Sequence, residues 1–462
     1  RDTVRTLWAA SWRMHRGFSE RTGRALEEAS PPLTQAWSVY VAGPVFASPV
    51  VAGDKVLVAT ENGDVVALSE AGAELWRTNL GAAIRSTPAV RDGRVYVVAT
   101  NGRLTVLNLA AGTVVYGVPI GGADGASPVL TDDLVIGGGA FPDSTIYAVT
   151  IATGGVRWRF CPGQPIFASP AVGPDYVVAA AGTGHVYRLR LDGTPVWTST
   201  APTGSMYYVA PLVANGLVYA SGGGYDRTVV AYDLGTGARR WAYTMKIPWT
   251  GGEKDGSGSN QASSVATDGA RVFVVGGLWS ELPSSPWSVQ EQRLYALDAQ
   301  TGAGLWHVSV GSATGLGFAA SPVIAQDVVY AAGGNTLWAF TPSTGGALGS
   351  WPLTGGVIAS PAVANGRVYV GTLGGYLYAF DAALAVALRS PDHGDVIRGG
   401  VATPVTAVIR GHAPASVRVE YAPGRKGPED GGFTQAFSAA PSSGEVVAVG
   451  TLFPNALTSG DY

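Results

Sequence analysis

Along most of the chain, short apolar runs alternate with turns rich in Gly, Asn and Asp. The stretch from Ala47 to Trp76 reads ASPVVAGDKVLVATENGDVVALSEAGAELW, and Ser86 to Tyr116 repeats it as STPAVRDGRVYVVATNGRLTVLNLAAGTVVY. Each unit carries four strand signals: an apolar run after a Ser-Pro-like pair, an alternating run such as VLVAT, an LYALD-like run, and a run bearing an aromatic residue. Asn62-Gly63 and Asn101-Gly102 join the second run to the third, and Asn-Gly between alternating runs is a strong hairpin signal. Four short strands in a unit of ~40–45 residues predict a propeller blade.

Two anchors count the units. The second position of the Ser-Pro-like pair falls at Pro49, Pro88, Pro128, Pro170, Pro211, Ser264, Pro322 and Pro361, with spacings of 39, 40, 42, 41, 53, 58 and 39. The aromatic falls at Trp37, Trp76, Tyr116, Trp158, Trp197, Trp241, Trp306 and Trp351. Trp37 precedes the first Pro anchor, whereas the last unit, Pro361 to Asp381, has no aromatic strand after it. The offset predicts an all-β, eight-bladed ring of four-stranded blades over residues 33–384. The strand around Ala36 to Val41 completes the eighth blade beside Tyr376 to Phe380, which removes the exposed edge of an open array. An indole recurring once per blade reads as a structural wedge between neighbouring blades. Gly112, Gly154, Gly193, Gly237, Gly302 and Gly345 read as turn residues.

The pattern SPxVxxGxVYVGTxxGxLYALDxxTGxxxW, with Ser360 to Asp381 and Leu294 to Trp306 as its nearest copies, resembles the repeat of pyrroloquinoline-quinone-like eight-bladed propellers over about residues 35–381. That superfamily holds quinoprotein dehydrogenases and outer-membrane barrel-assembly lipoproteins, so fold alone does not choose a function. The dehydrogenase reading implies pyrroloquinoline quinone and calcium in the central funnel, an aspartate base and, in many members, a disulfide between adjacent cysteines. The single cysteine, Cys161, excludes that disulfide. Calcium needs six to eight oxygen ligands, and the acids inside the repeats fall mostly in turn or strand-end slots: Asp54, Asp92, Asp132, Asp133, Asp233, Asp268, Asp298 and Asp381. The strings Gly137-Gly138-Gly139, Gly222-Gly223-Gly224 and Gly333-Gly334 read as hairpin turns, not as phosphate loops.

Composition narrows the field further. Of 462 residues, 46% are hydrophobic and 14% charged, which excludes a disordered chain. The 30 Lys+Arg and 33 Asp+Glu give a net charge of −3 and no global field for nucleic acid. Five scattered histidines, His15, His185, His307, His393 and His412, lack metal-ligand spacing. No apolar run reaches the ~18 residues of a transmembrane helix. Cys161 reads as a buried thiol, the common state of a lone cysteine.

Departures from the period point to a binding face, because insertions in a repeat array map to loops. The sixth unit has two. The loop between Trp241 and Ser264 takes 23 residues where 12 is usual, and the hairpin from Gly277 to Arg293 is also extended. Both open on one face of an up-and-down blade and carry Trp249, Trp279 and Trp287. Beside them come Glu253, Lys254, Asp255, Asn260 and Glu281, with Tyr207, Tyr208, Tyr225, Asp226 and Arg227 from the preceding unit. Aromatics with sparse charges suit a protein or glycan partner; the alternative is that the tryptophans pack the loops against each other.

The two ends differ from the ring. In residues 1–32, Val4, Leu7, Trp8, Trp12 and Phe18 fall near helical spacing among Arg1, Arg5, Arg13, Arg16, Arg21 and Arg24. This predicts an amphipathic helix docked on its own domain or a partner, with a membrane surface as the alternative. Residues 385–462, with alternating runs at Val405 to Ile409 and Val417 to Tyr421, resemble the Ig-like modules of bacterial surface proteins. The resemblance expects one more strand after Tyr462, supplied by a following segment or a neighbouring subunit. With no initiator Met at Arg1, the chain reads as a piece of something longer. The expected function is a non-catalytic scaffold, extracellular or at the bacterial cell surface with the periplasm as alternative. A quinone-dependent dehydrogenase and a lectin-like or assembly-factor propeller are the other readings.

Overall fold

In the computed structural model, the described residues are 3–5, 12–17, 19–25, 29–121, 126–139, 144–200, 209–222, 228–249, 252–255, 262–279, 289–311, 319–390, 396–398, 403–411, 417–421, 434–439 and 447–452. Eight antiparallel blades follow one another around the ring, each with its first strand innermost. Blade one is typical: Val50–Ala52, Lys55–Ala59, Asp64–Ser69 and Glu74–Asn79. Its second and third strands are buried almost throughout, while the outer strand is exposed at both ends and half-buried in the middle. Middle strands covered on both faces therefore read as near-continuous apolar runs, as in any sheet packed on two sides.

The ring closes as the offset of the two anchor series predicts. Ser30–Tyr40 pairs antiparallel with Tyr376–Ser390, in register at Gln35 with Phe380, Trp37 with Ala379 and Val39 with Leu377. Apolar side chains gather between the facing surfaces of neighbouring blades. The cluster at the closure joins blades seven, eight and one with Trp12, Ala25, Ala29 and Leu33 of the N-terminal segment.

Each aromatic of the outer strands reaches the next blade. The indole N–H groups of Trp37, Trp76, Trp158, Trp197, Trp241, Trp306 and Trp351 donate to the carbonyls of Glu70, Leu109, Leu191, Leu234, Ala299, Pro342 and Leu33, at 2.7–3.1 Å. The Tyr116 hydroxyl donates to Ile151 O at 3.0 Å. Seven of the eight rings lie on turn glycines of that next blade, such as Gly112 beneath Trp76 at φ +70, whereas Trp351 lies on Gly349 of its own strand.

A second belt lies near the axis, and it explains the Ser of the Ser-Pro pair. The backbone N–H of Ser48, Thr87, Ser127, Ala210, Ser264 and Ser321 donates to the hydroxyl of Thr87, Ser127, Ser169, Ser264, Ser321 and Ser360, at 2.8–3.1 Å. This chain of bonds corrects the sixth anchor: Ser264 stands in the Ser position, and Val265 takes the place of Pro. Losing one buried acceptor costs ~1–3 kcal/mol. Ser264→Ala is therefore expected to lower the urea midpoint, by orphaning Ala210 N–H, more than Thr236→Ala in an exposed turn; equal midpoints would contradict the belt.

The structure corrects three further expectations. Among the described residues of the N-terminal segment there is no helix: Trp12 forms an isolated bridge with Val51, residues 13–17 and 19–23 are turns and irregular chain, and Arg24–Ala25 is a parallel strand on Val323–Ala325. Gly17 and Gly23 both have positive φ, which breaks a helical path, and the apolar spacing instead serves separate contacts with different blades. Cys161 is exposed, with its sulfur 3.4 Å from Thr145 Oγ1. Gly137, Gly138 and Gly333 sit inside second strands, not turns, and are glycine where a side chain would strike Tyr147, Ile166 or Val310.

Beyond the ring, the second half of Tyr376–Ser390 pairs with Thr403–Gly411, which pairs in turn with Val447–Leu452. Val417–Tyr421 pairs with Thr434–Ala439. The segments linking these strands lie outside the described residues, and so does the Ig-like reading with its missing strand.

Candidate functional site

The N-terminal segment lies against the innermost strands of the ring. Their inward edges carry backbone N–H groups that need acceptors, and residues 12–23 supply them in turn. Val51 N donates to Trp12 O, Val90 N to Arg13 O, Val172 N to Ser19 O, Val213 N to Glu20 O, Thr267 N to Thr22 O and Ile324 N to Gly23 O, at 2.8–3.1 Å. One short segment therefore bonds to blades one, two, four, five, six and seven.

Two arginines finish the circuit. Arg21, fully buried, donates to Pro170 O at 2.9 Å, His15 O at 2.6 Å, and Ser127 O and Pro128 O at 3.2 Å, which adds blade three. Arg16, 1% exposed, donates to Arg21 O at 3.2 Å, to Val265 O and to Pro322 O at 3.4 Å. Burial pushes both guanidinium groups down to about 9, still above neutral pH, so both remain charged. Carbonyl dipoles, not carboxylates, accept every hydrogen bond described for the two groups.

Burial, and then the charges of Arg21 and Arg16, hold the His15 imidazole well below its ordinary value, so it is neutral at pH 7. The unfolded chain takes up a proton below about pH 6.5 that the folded chain refuses. Stability is therefore lost as pH falls through that value, by up to ~1.4 kcal/mol per pH unit. His15→Gln should remove this part of the acid sensitivity. Urea midpoints of the two proteins between pH 7 and 5 check it: parallel pH profiles would contradict it.

The decorated sixth blade is the other candidate. Lys246–Trp249 and Gly252–Asp255 form a hairpin within the loop leading to the blade, opposing Lys246 to Asp255 and Pro248 to Glu253. Arg271–Trp279 and Val289–Asp298 form the extended hairpin of its second and third strands. The two insertions meet at their bases: Ala262 bridges to Gly276, Ser263 N donates to Val275 O at 2.8 Å, and buried Met245 packs on Gly276. Trp249, Glu253 and Asp255 thus lie on one hairpin, and Trp279 ends the first strand of the other, opposite Val289. Tyr207, Tyr208, Tyr225, Asp226, Arg227, Asn260, Glu281 and Trp287 lie outside the described residues. On the opposite face, a cleft of about 390 Å³ opens between blades three and four, lined by Ser19, Asp132, Asp133, Arg157, Trp158 and Asp192 among others.

The sequence reading missed Trp12, His15, Arg16 and Arg21 as axial residues. Their one legible signal is the pair of glycines following the arginines, in Arg16-Gly17 and Arg21-Thr22-Gly23. These side chains also decide the fit of a quinone with calcium. The level of the axis where Arg16 and Arg21 meet the Pro-position carbonyls is filled by the chain's own cationic side chains, and no group of three His, Cys, Asp or Glu able to hold a metal ion occurs among the described residues. The residues present do not fit that cofactor. No helix of the described residues is long and apolar enough to cross a membrane.

Comparison with known proteins gives one consistent relationship. A family model described as outer membrane protein assembly factor BamB matches residues 2–140, 142–278 and 290–412. Among curated proteins, the outer membrane protein assembly factor BamB of Moranella endobia is 28% identical over 213 residues, 45% of this chain and 45% of that protein. Its namesake from Yersinia pestis is 27% identical over 208 residues, 41% of this chain and 52% of that protein. The matches thus span about half the length of these relatives. Among solved structures, BamB from Moraxella catarrhalis superposes with a TM-score of 0.60 at 17% identity, covering 76% of this chain and 99% of that one. A quinohemoprotein alcohol dehydrogenase from Comamonas testosteroni gives 0.64 at 17% identity, covering 85% and 83%. At such identity the two structures show the fold alone.

Proposed function

The chain belongs to the family of outer membrane protein assembly factor BamB, and on that footing we propose that it is a non-catalytic protein-interaction scaffold of the bacterial cell envelope, working within a protein assembly. The observation that carries this reading is the family match running through every blade, joined to an axis filled by the chain's own Arg16 and Arg21. A propeller whose centre is occupied in this way offers its loops and rim to partners. The paired insertions of blade six, which carry Trp249 and Trp279 in sequence, bring the residue type that concentrates binding energy between proteins. A protein is favoured over a glycan there by the family, and the periplasmic side of the envelope over the cell surface.

Depleting the protein in its source bacterium tests the proposal. Folded outer-membrane β-barrel proteins, scored by heat-dependent mobility of isolated envelopes, are expected to fall at least twofold. Unchanged levels would overturn the assembly role. Quinone-dependent oxidation of an alcohol or sugar by purified protein supplied with pyrroloquinoline quinone and calcium would overturn the non-catalytic reading.

A further inference from the structure

The axial segment is bound in a manner that resembles a ligand more than a blade. Its main chain accepts from the inner-strand N–H groups, a mode that tolerates many sequences and is the basis of strand-addition peptide recognition. Its side chains supply the selectivity. Both guanidinium groups end on carbonyls that the Ser-Pro anchors present toward the axis: Ser127, Pro128, Pro170 and Pro322, with Val265 in the Pro position. Arg is suited to such multidentate contact, being planar and weakly hydrated for a cation. Trp12 is 1% exposed. At Gly17 a side chain would press on the Trp12 ring, and at Gly23 it would strike the Arg16 guanidinium; both have positive φ. The bound pattern is therefore specific: Trp, then Arg-Gly four residues on, then Arg-x-Gly.

Two further observations separate this segment from the ring that holds it. Closure is made elsewhere, by Ser30–Tyr40 on Tyr376–Ser390 and by Trp351 on Leu33 O, so departure of residues 12–25 leaves the eighth blade paired. Arg16 Nη1 is buried with no hydrogen-bond partner, and two buried cations hydrogen-bonded by carbonyls, with Glu20 acting on Arg21 only through its charge, carry a desolvation cost that loosens the attachment. We propose that the propeller axis is a binding site for an arginine-bearing peptide with glycine turns, filled in cis by residues 12–25, and that a segment of the same chemistry from a partner protein exchanges with it. The site is independent of the envelope role, because it is read on purified protein.

The test uses the full chain. In the double variant Arg16→Gln, Arg21→Gln the cis segment keeps its backbone but loses its anchors, while the closing strand is untouched. A fluorescein-labelled peptide of residues 12–25 is expected to bind this variant saturably by fluorescence anisotropy. It should bind wild-type protein, whose axis is filled, at least tenfold more weakly. The same peptide with Gln at both arginine positions should bind the variant at least tenfold more weakly as well. A folded variant that binds neither peptide, or both equally, overturns the proposal. So does a variant that loses its β-sheet circular dichroism, since the segment would then be part of the fold and not an occupant of a site.

Discussion

Trp351→Ala is expected to destabilise the ring by about 3 kcal/mol, within the range for removing a packed aromatic. The residue bridges blade seven and the strand that closes blade eight. Its indole donates to Leu33 O at 3.0 Å and packs tilted against Phe380, with ring centroids 6.3 Å apart. It also lies over Gly349, where a Cβ would sit 2.6 Å from the ring. The variant loses this contact at the one junction where strands from opposite ends of the ring meet, so closure loses cooperativity along with stability. Leu348→Ala, at a residue 44% exposed on the same strand, should change stability by no more than ~0.5 kcal/mol. Urea unfolding of both variants decides the matter: similar midpoints would remove Trp351 from the closure.

Gly302→Val is the second large effect. Gly302 holds φ +72, and a Cβ there would fall 2.5 Å from the Trp241 indole. The left-handed backbone alone costs a non-glycine residue ~1–2 kcal/mol. Displacing Trp241, which is buried, donates to Ala299 O at 3.1 Å and lies tilted on Tyr219, adds a loss of similar size. The expected sum is about 3 kcal/mol or more, with Gly302→Ala less damaging because alanine lacks the β-branch. A valine variant as stable as the parent, measured by thermal unfolding, would show that the turn yields and that the indole does not fix it.

What the sequence discloses depends on whether a contact repeats. The Trp and Ser-Pro anchors recur because every blade needs the same two belts, so periodicity alone locates the blades and the closing strand. Where one blade meets the need differently, the pattern misleads. In blade seven, Gly349 opposes Ala339 at the position taken by Trp in blade six, and Trp351 stands two residues further along, opposite Leu337. In blade six no Pro marks the anchor: Ser264 holds the Ser position of the axial belt and Val265 replaces Pro. The N-terminal segment is the extreme case. Its contacts are made once each with different blades, and arginine is normally an exposed residue. Beyond the glycines that follow them, nothing local announces that Arg16 and Arg21 lie at the axis. Of the sequence-chosen site, the insertions of blade six were legible from length alone, since added residues must leave the blade as loops.

Native-state hydrogen exchange at the inner strands bears most directly on the filling of the axis. The amides of Val51, Val90, Val172, Val213, Thr267 and Ile324 face the centre of the ring and donate to the N-terminal segment. Resolved by fragmentation mass spectrometry, these six are expected to be protected, though less strongly than the mid-strand amides of Val58, Val97 and Val178, since the segment can leave without the blades opening. Rapid exchange at the six, with the mid-strand amides still protected, would mean an open axis lined with water and would contradict the segment's place in it.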